Sequence, residues 1–204
     1  MKQLVTNATG HIILDIKGRR MLVDTGAARS FYVEYQGVHV NNLSRLTGVH
    51  LDGVLGMNSL QGKVVSLTRN TINLDGAPPD DPGVPLKYIS GIPSVDIRIN
   101  GIPCCAAIKT GATTTCLSEE LLSRDKPTRV VDDIHPLYGR FKVKMFVNYF
   151  SIGNKNYFAD AGALPDEFSM LSSTPIDAII GTDVLNRFGL IMDFAGDRLH
   201  LVSC

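Results

Sequence analysis

Apolar and polar positions alternate with a period of two through most of the chain. "HIILDI" (11–16) and "RRMLVD" (19–24) do so near the start, and "SVDIRIN", "CCAAIK", "RFKVKMFV", "DAIIG" and "DRLHLV" do so after residue 93. That period, with its β-branched residues, predicts half-buried strands. Helical spacing is scarce: "SEELLS" from Ser118, with Glu119 and Glu120 in its first turn, and "TDVLNRF" from Thr182 are the two short candidates. The pattern predicts an all-β chain with a few short helices.

The strands fall into two series. "ILDIKGRRMLVDTGA" is matched by "VDIRINGIPCCAAIKTGA": a strand, a turn at Gly18 or Gly101, a second strand, then a loop. "LDGVLGMNSL" is matched by "IDAIIGTDVL", and each series closes on a hairpin-like pair, "KVVSLTRNTINL" and "LIMDFAGDRLHLV". Three features in the same order predict an internal duplication. Between the series, "DGAPPDDPGVPLKYISGIP" (75–93) holds five prolines and three glycines, which suit neither a helix nor a sheet interior. The expected organisation is therefore a first lobe over 1–75, a linker over 76–93 and a second lobe over 94–204.

Composition narrows the partners. Twenty basic residues balance twenty acidic ones, so no net field draws the protein to nucleic acid or anionic lipid. The N-terminal stretch lacks the apolar core of a secretory signal and no apolar run reaches bilayer length, which gives a cytoplasmic expectation. The four cysteines (Cys104, Cys105, Cys116, Cys204) and five scattered histidines suggest neither a disulfide scaffold nor a metal site. Reduced, buried cysteines are expected, with a Cys105–Cys116 bridge as the alternative in a secreted source. No cofactor is indicated.

A strand running into "VDTGA", followed by an apolar-apolar-Gly segment such as "GVLG" or "IIGTDVL", resembles the pepsin and retroviral-type aspartic peptidases, in both halves. The resemblance implies a bilobal acid-protease-like fold of two retropepsin-like repeats, each giving one loop to a central cleft. In that family two Asp residues share a proton and hold a water between them; one accepts the water's proton while the other donates to the substrate carbonyl. Here Asp24 would sit at a rigid loop tip. Thr25 offers a hydroxyl to the opposite loop's backbone, and Gly26 with Ala27 lets two backbones approach. Gly56 and Gly181 would allow the chain to cross beside the loops.

The second loop keeps Thr110, Gly111 and Ala112 but has Lys109 in place of the second Asp. Facing loops would make Asp24 and Lys109 an ion pair between lobes, holding Asp24 ionised and removing the shared proton. An ammonium can stabilise an oxyanion, but it is a poor proton donor at neutral pH. Gly181 lies 72 residues after Lys109, leaving room for a covering hairpin around "DDIHPLYGRFKVKMF", with Tyr138 as its aromatic candidate. Gly56 lies only 32 after Asp24, so the first lobe's flap is expected to be reduced. The resulting expectation is a catalytically impaired peptidase homologue binding a peptide or protein in its cleft as a monomer. The alternative is an active aspartic endopeptidase using Asp24 with Lys109, or with Asp24 of a second chain in a homodimer. "KTG" with "SRDK" at Ser123 also touches the serine β-lactamase pattern, but in the wrong order and without its long helices. His135 is expected as an exposed turn residue and Asp183 in a first helical turn; Arg29 either lines the cleft or faces solvent.

Overall fold

The computed structural model describes residues 2–4, 10–68, 71–137, 139–163, 175–185 and 187–202. Tyr138 and Cys204 lie outside the described residues. Nearly every element is a strand.

In the first half, Ile13–Ile16 and Arg19–Val23 form a hairpin whose two-residue turn has positive φ at both centres, Lys17 (55°) and Gly18 (76°). This geometry matches the right-handed twist of the strands it joins. Asn100 (52°) and Gly101 (82°) repeat it between Ile92–Ile99 and Ile102–Ile108. In each half the second strand of the hairpin then pairs in parallel with a later short one: Arg19–Val23 with Gly53–Leu55, and Ile102–Ile108 with Ala178–Ile180. A further antiparallel contact recurs too, as a bridge from Phe31 to Val54 and as the pair Cys116–Ile179.

The two halves meet in one six-stranded sheet, ordered Lys2–Leu4, Thr71–Asn73, Val64–Leu67, Gly189–Asp193, Arg198–Val202 and Val84–Pro85. Its centre joins Val64–Leu67 antiparallel to Gly189–Asp193, setting Leu67 opposite Leu190 and Val65 opposite Met192. All four side chains are buried in a core cluster that runs through both halves. The proline-rich segment therefore does more than link the halves. Val84–Pro85 edges this shared sheet, and Lys87–Ile89 pairs with Ile92–Ile99 in the second half's eight-stranded sheet.

The main helix, Val40–Thr47, lies where no helix is predicted from sequence. It buries Val40, Leu43 and Thr47 and ends at Gly48, whose φ of 71° is the left-handed conformation that glycine adopts without strain. Of the two predicted helices, Thr182–Leu185 is one turn of α-helix and Glu119–Leu121 is a single 3₁₀ turn. Cys104, Cys105 and Cys116 are free and buried. The alternative Cys105–Cys116 bridge is not formed: the strand Ala178–Ile180 runs between the two strands that carry them, which sets them about two strand spacings of ~4.8 Å apart. No helix among the described residues is long and apolar enough to cross a membrane.

Candidate functional site

Where the halves touch, two loops of like sequence lock together. Thr25 donates its hydroxyl to the Ile108 carbonyl (2.5 Å) and accepts the Thr110 N–H (3.0 Å). Thr110 answers by donating to the Val23 carbonyl (2.8 Å) and accepting the Thr25 N–H (3.0 Å). All four bonds are buried, so each threonine satisfies two backbone groups that water cannot reach. The loops are anchored alike from behind, by Asp24 N–H to the Leu55 carbonyl (3.0 Å) and Lys109 N–H to the Ile180 carbonyl (3.1 Å). Ala27 N–H bonds the Asp24 carbonyl as Ala112 N–H bonds that of Lys109, both at 3.2 Å. Gly56 and Gly181 pass beside these loops so closely that a Cβ on either would stand within 3.0 Å of loop backbone. Lys109 thus occupies in one loop the place that Asp24 occupies in the other.

The expected ion pair between them is not formed. Their charged atoms are farther apart than 4.0 Å, and each side chain instead reaches across the axis onto the other loop's glycine. A Cβ on Gly111 would meet both Asp24 carboxylate oxygens at 2.5 and 2.7 Å, and one on Gly26 would stand 3.3 Å from the Lys109 ammonium. Asp24 Oδ1 accepts the Gly26 N–H (2.7 Å). The Lys109 ammonium has no acceptor among the described residues. Both half-buried groups line a cavity of about 260 Å³ whose walls are largely apolar, among them Leu22, Phe31, Val54 and Ile179.

The sequence matches no family model and no curated protein. Among solved structures, an aspartic proteinase from Irpex lacteus is similar over 100% of this chain and 97% of its own, with a TM-score of 0.54 at 9% identity. The protease of simian foamy virus (mac) is similar over 45% of this chain and 90% of its own, at 21% identity and a TM-score of 0.34. The full-length match decides the architecture. The chain has the bilobal fold of a pepsin-like aspartic proteinase.

In this pepsin-like cleft the roof is a hairpin of the second half, Arg129–His135 with Gly139–Ile152, from which Ile134, Phe141 and the largely exposed turn residue Leu137 line the cavity. It rests on the first half: Arg140 Nη2 donates to the Leu46 carbonyl (2.9 Å), and Leu137 lies 3.7 Å from where a Gly37 Cβ would be. Opposite it the first half offers only the two-residue strands Glu34–Tyr35 and Val38–His39, which lead into the helix Val40–Thr47. Tyr138, the predicted aromatic, falls outside the described residues. His135 is not the exposed turn residue expected, because the hairpin folds inward there. It is half-buried on the cavity wall, and burial together with Lys109 pushes its pKa down to about 4.

Two cavity residues escape sequence reading. His11 is 3% exposed, and its Nδ1 has no hydrogen-bond partner among the described residues. Burial lowers its pKa, while the Asp133 and Asp24 carboxylates and the Gly111 carbonyl pull the other way. Its position was countable: a turn centred on Lys17–Gly18 pairs Ile13 with Leu22, which sets His11 level with Asp24. Asp133, 7% exposed on the hairpin, accepts the Thr113 hydroxyl (3.1 Å) and the Ile134 N–H (2.8 Å). Asp183 does lie in the first turn of Thr182–Leu185, but its carboxylate also accepts the Thr115 hydroxyl (2.6 Å) and N–H (3.0 Å). Burial raises its pKa against those bonds. In the first half, Asn58 holds Ser30 in the same way. Arg29 is exposed and is not part of the cavity wall. No group of three or more His, Cys, Asp or Glu among the described residues is arranged to hold a metal ion.

Proposed function

We propose that this protein is a duplicated aspartic-peptidase homologue that binds a peptide, or a peptide segment of a protein, in its cleft without cleaving it. The observation that carries the reading is Lys109, which stands in the second loop at the place of Asp24 in the first. Peptide hydrolysis by this fold needs one carboxylate to take a proton from water while a second, still protonated, gives one to the carbonyl. As a class, lysine ammonium groups are poor proton donors at neutral pH, and the loop position offers no second carboxylic acid in its place. Lysine's longer stem, laid over Gly26, also takes up room where a water between the loops would sit.

The remaining architecture suits a binder. The cavity is mostly apolar and lies at the junction of two lobes, where ligand sites tend to form. Rebuilding a symmetric Asp24 pair from two chains would require breaking the four buried threonine bonds and the Val64–Leu67 to Gly189–Asp193 pairing, so the monomer is favoured.

The test is incubation with a defined pool of synthetic peptides, followed by gel filtration and mass spectrometry of what co-elutes. Intact peptides are expected with the wild type, and none with Ala27→Trp, whose indole would fill the cavity that Ala27 lines. Shortened peptides would support the active endopeptidase instead, and an empty wild-type fraction would remove the binding reading.

A further inference from the structure

The cleft holds two polar groups that the protein itself leaves unanswered, and both line the same cavity. Lys109 presents up to three N–H donors with no acceptor among the described residues, in a half-buried position where water screens poorly. The Nδ1 of His11, at 3% exposure, likewise has no partner among the described residues. A polar atom held away from water without a partner is unfavourable, so a ligand that pairs with these groups recovers free energy that the empty cleft lacks. The cavity therefore asks for an anion at Lys109.

Three observations narrow that anion. The ammonium shares the cavity with the Asp24 and Asp133 carboxylates, which makes a doubly charged phosphate a poorer fit there than a singly charged carboxylate. The walls around it, Leu22, Phe31, Val54, Phe141 and Ile179, demand an apolar body next to the charge. The roof is fastened to the opposite half through Arg140 and Leu46, so a chain that ends inside the cavity fits more readily than one that runs through it. Two carboxylates share the cavity, but each already accepts from the protein: Asp24 Oδ1 takes the Gly26 N–H (2.7 Å), and Asp133 takes the Thr113 hydroxyl and the Ile134 N–H. Asp24 Oδ2 accepts no hydrogen bond among the described residues and is left to take a backbone N–H of the ligand beside its carboxylate.

We propose that the cleft receives the free C-terminal carboxylate of a peptide, with Lys109 as its counter-ion and the last side chain, an apolar one, in the lining. This rests on the peptide-binding reading above and gives that binder a direction: it reads chain ends. Lysine in the second loop then has a positive use beyond the loss of an acid.

The experiment compares three fluorescein-labelled hexapeptides by anisotropy. One ends in Leu-Phe as the free acid, the second is its C-terminal amide, and the third is the amide with an internal Glu. The free acid is expected to bind at least tenfold more tightly than either amide. Lys109→Met should bring the free acid and the amide to equal affinity, and Lys109→Arg should retain the preference. Equal binding of free acid and plain amide to the wild type would overturn the terminal-carboxylate proposal and leave peptide binding standing. Equal binding of the free acid and the Glu-containing amide would overturn it in favour of a side-chain carboxylate. Failure of all three peptides, with a pool of other peptides also excluded, would overturn both readings together.

Discussion

Thr25 and Thr110 each spend one hydroxyl on two backbone groups of the opposing loop, one as donor and one as acceptor. Valine keeps the shape and removes both bonds. Thr25→Val leaves the Ile108 carbonyl and the Thr110 N–H buried and unpaired, at about 1–3 kcal/mol for each orphaned group. A loss of about 2–6 kcal/mol is expected in urea unfolding, and Thr110→Val should cost a similar amount because its bonds mirror those of Thr25. The two losses should not add, since both substitutions dismantle one network. Full additivity would show that the loops do not support one another. The same scale explains why Lys109 is tolerated: the threonines, not the charged residues, hold the loops together, and the residue beside them is free to change its chemistry.

At the scale of elements, the hairpin Arg129–His135 with Gly139–Ile152 is the part of the cleft poised to respond to pH. His135 lines the cavity near its tip, with its pKa pushed down to about 4 by burial and by Lys109. An exposed histidine titrates near 6.5. The closed form therefore binds this proton less readily than an opened form, and closure loses stability as pH falls from about 6.5 toward 4. Protection factors of the amides of residues 129–135, referenced to intrinsic exchange at each pH, should fall over that range, and Lys109→Met should make the fall smaller by removing the repulsion. Exchange in this segment that ignores Lys109→Met would contradict the assignment. The hairpin was legible in sequence because strict period-two alternation runs through Gly139–Met145 on one side of it. The helix Val40–Thr47 was not: Asn41, Asn42, Ser44 and Arg45 break up its apolar face, and only Val40, Leu43 and Thr47 mark the buried side. The facing of the loops could be read from the repeated Thr-Gly-Ala. The approach of Asp133 could not, because it depends on how far the hairpin folds over the other half.

Across the whole molecule, the two halves are fused rather than merely adjacent. Leu67 meets Leu190 and Val65 meets Met192 in a sheet to which both halves contribute, and the buried cluster around them reaches back to Val23 and Ile108, the strand ends that present the loops. A cleft supported in this way is fixed in position, so its chemistry is decided by what stands on the two loops and on the hairpin above them. Around the cavity stand Asp24 and Lys109 on the loops, Asp133 and His135 on the hairpin and a buried His11 beside them, so that only one of the two loop positions carries a carboxylate. The central claim is that this set binds and does not cut. Its most direct test is peptide cleavage, followed by mass spectrometry from acid to neutral pH, by wild type and Asp24→Asn in a sample shown to be monomeric by light scattering. No cleavage above background is expected from either protein. Cleavage by the wild-type monomer that disappears in Asp24→Asn would contradict the account.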